Sequence, residues 1–295
     1  MTERSLPARI CAGLLLAGGV LLSAQQVQLP SEPARQFGAG VTGAFEGWFK
    51  NPDGSYTFLV GYLNRNRAQE VDVPIGPNNR IEPGGPDLGQ PTHFLPGRQT
   101  GMFTVTVPKE FTAQQRLTWT ITLNGQTNSI PLRLHPDYIV SPFTDLAVKN
   151  TPPVLRFSEG GTGIQGPIAT VSKPGLAATT PVARALLLPL WTDDDAKYSS
   201  GTNAPMRDPP PPVELTWSQY RGPGPVVFAK PKPPVERLAG GGVNEAFRGK
   251  AETSAKFSEA GEYVLHVTAN DYSGEGGNGE VCCWTTALVK VLVTP

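Results

Sequence analysis

Residues 117–134 read LTWTITLNGQTNSIPLRL. Leu117, Trp119, Ile121 and Leu123 alternate with three threonines, and Ile130, Leu132 and Leu134 alternate with Pro131 and Arg133. Successive side chains of a strand point to opposite faces, so a period of two marks extended chain with one apolar side. Asn124-Gly125-Gln126 lies between the two runs, and Asn-Gly accepts the backbone angles of a tight hairpin turn. The segment is expected to form two paired strands with Trp119 on the buried face.

The same pattern extends in both directions. Upstream, FEGWFK (residues 45–50) and SYTFLVGYL (residues 55–63) flank Asn51-Pro52-Asp53-Gly54. Proline presets one turn angle there and glycine tolerates the positive one. Val71, Val73 and Ile75, and then Phe103, Val105 and Val107, add further alternating runs. These strands predict one all-β domain over residues 36–137. A proline-stiffened junction follows, from His135-Pro136-Asp137 to Asn150-Thr151-Pro152-Pro153. Beyond it, Val182 to Trp191 is an apolar run that suits a buried strand or a short helix. Val213, Leu215 and Trp217 alternate with polar residues, as do Tyr263, Leu265 and Val267, and the chain ends through Thr285, Ala287, Val289 and Val291. No stretch after residue 25 sustains a 3.6-residue apolar period. The expected fold class is all-β, as two tandem immunoglobulin-like β-sandwich domains, the second over residues 151–295.

Composition narrows the function classes. The chain has 295 residues, with 33 Gly and 31 Pro, as a turn-rich β protein requires. Lys+Arg and Asp+Glu are 25 each, so the net charge is zero, which argues against a general grip on nucleic acid or on an anionic membrane. At the N-terminus, Arg4 and Arg9 form a short basic region before a 13-residue apolar run, Ile10–Leu22, and Ser23-Ala24-Gln25 follows it. That is the layout of a cleaved signal peptide over residues 1–24, since a membrane span needs about 20 apolar residues. The mature protein is expected to be secreted or periplasmic, with no membrane span.

In the second half, VELTWSQYRGPGPVVF (residues 213–228), AKFSEAGEYVLHVTAND (residues 255–271) and the closing TTALVKVLV (residues 285–293) resemble the PKD-like branch of immunoglobulin-like sandwiches. The resemblance covers about residues 151–295. It implies a sandwich fold and a non-catalytic module of an exported protein, used as a spacer or for adhesion. The Trp-Asp-Phe-Gly-Asp-Gly signature of the better-known PKD type is missing. The stretch FEGWFKNPDGSYTFLVGYLNRN (residues 45–66) is similar to segments of uncharacterised exported bacterial proteins, and that similarity implies no activity.

Candidate sites lie at loop ends. Asp193, Asp194 and Asp195 follow the run ending at Trp191, and Asp271, Glu275 and Glu280 precede the last strand. Loops after the second and sixth strands of such a sandwich emerge at the same end. These six carboxylates are therefore expected to gather beside the junction, where a hard cation such as Ca2+ would take oxygen ligands. Cys282-Cys283 leaves three readings open: two inert thiols, a vicinal disulfide, or a metal or nucleophile role. Neighbours on a strand point to opposite faces, so a bridge requires the chain to leave strand geometry.

Pairing Glu262 with Lys290 gives an attractive cross-strand pair. That register places Thr286 opposite His266, and it puts Trp284 on one outward face with Val264, His266 and Leu288. An outward apolar patch implies a partner surface, a cover from the other domain, or a cover by a loop. His266 itself is expected at the surface, and Asn64-Arg65-Asn66-Arg67 as a solvated strand end. None of His93, His135 and His266 has a metal-protease neighbour, and there is no nucleophile elbow or phosphate loop. The sequence thus points to an exported binding or adhesion module with an envelope protein or polysaccharide as partner and no cofactor beyond Ca2+. The rival is a redox, metal-binding or enzymatic protein using Cys282 and Cys283.

Overall fold

In the first half the strands are β1 (Val41–Lys50), β2 (Tyr56–Asn64), β3 (Val71–Asp72), β4 (Asn79–Glu82), β5 (His93–Phe94), β6 (Gly97–Val107), β7 (Leu117–Leu123) and β8 (Gln126–Leu132). They form the antiparallel sheets β1-β2-β6 and β4-β7-β8, with the short pair β3-β5 beside them. The structure is a computed structural model that describes residues 35–145, 149–197, 211–240, 245–271 and 282–295. The expected signal peptide, residues 1–24, lies outside the described residues. Among those residues there is no α-helix, and the chain is all-β.

Both expected hairpins are present, and their turns explain them. Between β1 and β2, the Gly54 amide donates to the Asn51 carbonyl (3.0 Å), and Gly54 has φ 89°. The Asp53 carboxylate closes the turn by accepting from the Ser55 amide at 3.0 Å. Between β7 and β8, Asn124 and Gly125 both take positive φ, 52° and 75°, as a two-residue hairpin turn requires.

Trp119 on β7 fixes the distance between the two larger sheets. Its ring meets Phe103 of β6 edge-on at 5.2 Å. A Cβ at Gly43 of β1 would lie 2.6 Å from the Trp119 ring, so only glycine allows this approach. The indole N–H donates to Asn79 Oδ1 (3.0 Å), and the Asn79 amide donates to the Val73 and Pro91 carbonyls at 2.9 and 2.8 Å. Asn79 is fully buried, so its removal orphans three buried groups. Asn79→Ala is expected to lower stability by about 2 kcal/mol, measured by urea unfolding, even though little apolar surface is lost.

The second half carries β9 (Val154–Arg156), β10 (Ile164–Gln165), β11 (Leu176–Pro181), β12 (Leu186–Asp194), β13 (Val213–Arg221), β14 (Val226–Phe228), β15 (Glu236–Ala239), β16 (Phe247–Phe257), β17 (Gly261–Asp271) and β18 (Trp284–Thr294). One sheet runs β10-β9-β12-β16-β14, with β15 also on β16; the other runs β11-β18-β17-β13, with β11 parallel to β18. Val182–Trp191, for which strand and helix were both open, is strand from Leu186 onward. Leu188, Leu190, Trp217, Tyr263, Leu265, Val289 and Val291 form the core between these sheets.

The opposite face of β13-β17-β18 is largely covered rather than solvated. Tyr220, Val264 and Leu288 belong to the same buried cluster as Trp119 and Phe103 of the first half. Glu32–Pro295 accordingly forms one compact unit. Covered on both sides, β17 and β18 lose the clean alternation of burial that a half-exposed strand shows.

Three sequence expectations need correction. The β17–β18 register is shifted by two: Val264, not Glu262, faces Lys290, and His266 faces Leu288, not Thr286. A slip of two keeps every side chain on its own face, so the apolar pattern cannot detect it. A single cross-strand charge pair is worth only about 0.2–1 kcal/mol and does not decide the register. His266 is buried (2% exposed), not a surface residue, because the first half covers its face. Asn64 and Asn66 are likewise buried rather than a solvated strand end. Their side chains satisfy backbone groups of Gln69, Phe94 and Ala39 and so hold the chain that leaves β2.

Candidate binding cleft and carboxylate cluster

The seam between the halves is held by a short stretch of β13. Alternation along VELTWSQY puts Glu214, Thr216, Ser218 and Tyr220 on the face turned to the first half. Tyr220 Oη donates to the Gly89 carbonyl (2.5 Å), and the Thr92 amide donates to the Tyr220 carbonyl (3.2 Å). Arg221 then forms a two-pronged pair with the Asp87 carboxylate, at 2.9 and 2.8 Å, and donates to the Gln90 carbonyl. The guanidinium hydrogen bonds hold the Asp87 carboxyl below its usual range.

Above this contact the halves separate into a cleft of about 350 Å3. Thr216, Ser218, Thr268 and Asn270 line one wall from β13 and β17, and Gln99 and Thr100 line the other from β6. On β13 and β17 the polar residues are every second one, which puts them on the face turned to the seam, and Leu95, Met102, His266 and Trp284 complete the lining. Two cations border the cleft, and both are neutralised: Arg98 donates to Glu46 Oε1 at 2.6 Å, and Lys232 pairs with Glu214.

The four residues expected on one outward face, Trp284, Val264, Leu288 and His266, do share a face. All four are buried. Of the two covers the sequence allowed, the structure has the first half of the chain. A side chain at Gly101 of β6 would overlap the Trp284 indole, and Gly101 also has φ 59°. Trp284 Nε1 and His266 Nε2 are closed off from solvent and have no hydrogen-bond partner among the described residues. The His266 ring stacks on Tyr220, 5.9 Å between centroids, and burial pulls its pKa down to about 4.

Glu46 was not anticipated. It sits at the bulge between Phe45 and Gly47 of β1, which turns its carboxyl inward. It accepts from the Gly101 amide (2.7 Å) as well as from Arg98. Burial raises its pKa to about 7, against the opposing pull of Arg98 and of the Gly101 hydrogen bond. His93 has no ligand-type neighbour in the sequence. In the fold its two ring nitrogens face Asp72 (2.9 Å) and Glu70 (3.2 Å), so both are occupied.

The acidic residues divide. On β12 the buried phase Leu188, Leu190, Thr192 continues to Asp194, which therefore points inward. Asp193 has the opposite phase and pairs with Arg156 and, at 3.6 Å, with Arg248. Asp194, Asp195 and Asp271 each bring a carboxylate oxygen to within 4.8 Å of the others. Glu275 and Glu280 lie outside the described residues. The junction joins the cluster: Asn150 Nδ2 donates to Asp271 Oδ2 (2.7 Å), and Thr151 Oγ1 donates to Asp195 Oδ2 (3.1 Å).

Cys282 and Cys283 are joined in a vicinal disulfide, across a cis peptide and just before β18 begins. Both are buried, and Cys283 Sγ lies 3.5 Å from the Asn150 carbonyl. The Asp271 amide donates to the Cys283 carbonyl at 3.1 Å, so the bridge borders the carboxylate cluster.

The fold and these sites define an all-β chain with a polar seam cleft and a separate carboxylate cluster. Its sequence matches no protein-family model, and no curated protein is similar to it.

Proposed function

We propose that the chain is an exported, non-catalytic binding module made of two tandem immunoglobulin-like β-sandwiches, residues 36–137 and 151–295, which holds a neutral envelope polysaccharide in the seam cleft. The observation that carries this reading is the lining of the cleft. Hydroxyl and amide groups stand in rows on two facing walls, and the bordering cations are already paired. Such a surface suits a polyhydroxylated chain better than an anion, and Trp284, Leu95 and Met102 complete the lining with apolar surface against which a sugar ring can pack. Export is supported by the signal-like residues 1–24 and by a disulfide, which persists outside the reducing cytoplasm.

A glycan array followed by calorimetric titration with the best oligosaccharide tests the reading. Thr216→Val and Asn270→Ala are expected to weaken that binding roughly tenfold or more, one lost hydrogen bond being worth about 1.4 kcal/mol. Both positions are partly exposed, so the fold should survive. An array without a hit, or affinity unchanged in both variants, overturns it. Capture of a protein that these variants release would move the cleft to the protein-binding class.

A further inference from the structure

The carboxylate cluster shares no residue with the cleft lining and poses a separate electrostatic problem. Asp194 is 7% exposed and Asp271 2% exposed. The one ammonium beside them among the described residues is Lys197, 3.3 Å from Asp195 Oδ2. Asp194 Oδ1 accepts from the Ala196 amide at 2.7 Å. Its other oxygen, Oδ2, is closed off from solvent and has no partner among the described residues, and Asp195 Oδ1 is in the same position. An unpaired carboxylate oxygen in a buried place costs several kcal/mol unless a charge answers it.

We propose that Asp194, Asp195 and Asp271 hold one Ca2+ ion, which ties the Asn150-Thr151 junction to the ends of β12 and β17. The span of the ligand atoms, 4.8 Å at most, fits two oxygens on opposite sides of one ion at about 2.3–2.6 Å each. The orphaned oxygens of Asp194 and Asp195 supply coordination sites that nothing else uses. Ca2+ suits the place better than Mg2+. Strand ends impose an irregular geometry, and a buried site cannot leave Mg2+ the waters it keeps. Because Asn150 and Thr151 hydrogen-bond to two of the ligands, the ion would fix the junction as well as the sandwich end.

The test uses the full chain, dialysed against EDTA and titrated with CaCl2 alone. The expected result is a 1:1 calorimetric isotherm. At about a hundredfold excess over Kd the thermal midpoint should rise by roughly 5 °C or more. Asp194→Asn should bind Ca2+ at least tenfold more weakly and lose the shift. In EDTA its midpoint should match or exceed that of the unmodified chain, because a buried like charge is gone. Asp193→Asn, which alters the arginine pair instead, should keep Ca2+ binding. The proposal is overturned by no heat and no shift up to about 10 mM CaCl2, well above weak extracellular sites near 1 mM. It is equally overturned by a shift that persists in Asp194→Asn, or by tighter binding of Mg2+.

Discussion

Tyr220→Ala should cost about 4 kcal/mol of stability, the largest effect expected of any single change at the seam. The ring is fully buried, stacked on His266 and packed within the core cluster of the first half, although its strand belongs to the second. Truncation opens a cavity between the halves and orphans the Gly89 carbonyl. Tyr220→Phe keeps the ring and removes only that hydrogen bond, so it should cost about 1 kcal/mol. Urea denaturation followed by tryptophan fluorescence and by far-ultraviolet dichroism measures both. Fluorescence reads the five tryptophans of both halves and dichroism reads all the strands, and in the unmodified chain the two transitions should coincide. In Tyr220→Ala they should separate, because the shared cluster is what makes the halves unfold together. A cost below about 1 kcal/mol with coincident probes would mean that the seam does not couple the halves.

The strands were legible because most of them bury one face. Leu117 to Leu123 alternates cleanly, and Asn124-Gly125 marks the turn, so the hairpin follows from local chemistry. The seam was not legible for the same reason in reverse. Once β13-β17-β18 is covered on both faces, Val264, His266 and Leu288 no longer mark an outside, and His266 was placed in solvent. The pairing that closes the seam joins Asp87 to Arg221 across 134 residues, and no periodicity connects them. One signal was available and unused. Tyr220 ends a row of otherwise polar residues, Glu214, Thr216 and Ser218, and a large aromatic in that phase marks where the polar face meets a cover.

The carboxylate cluster was partly legible. Acidic loop ends at one pole of a sandwich brought Asp194, Asp195 and Asp271 into view together. Sorting Asp193 from Asp194 needed the strand phase carried four residues past Leu190, through Thr192, which the apolar run alone does not provide. Glu46 was invisible, since a bulge at Phe45/Gly47 reverses the face that alternation assigns.

Two buried titrating groups, one on each side of the seam, should give opposite pH dependences of stability. Burial holds the His266 pKa near 4, below its ordinary 6.5. Between those values the unfolded chain binds a proton that the folded chain does not, so stability rises with pH there. The contribution is fully present above pH 6.5 and is lost as pH falls through about 4; its size is on the order of 3 kcal/mol. Glu46 behaves in the opposite sense, with a folded pKa near 7 against an ordinary 4.5. Its contribution is present below pH 4.5 and is lost as pH rises through about 7, again on the order of 3 kcal/mol. From pH 4.5 to 6.5 the two slopes cancel, so the unmodified chain hides both. Difference measurements expose them. His266→Phe keeps the stack on Tyr220 but cannot titrate, so its stability relative to the unmodified chain should fall as pH rises from 4.5 to 6.5. Glu46→Gln keeps an acceptor for the Gly101 amide, and its relative stability should rise over the same range. Subtracting the unmodified chain removes every other titrating group, Asp194 included. Denaturation midpoints at half-unit pH steps suffice. Flat differences for both variants would show that neither side chain is held in the environment that the seam creates.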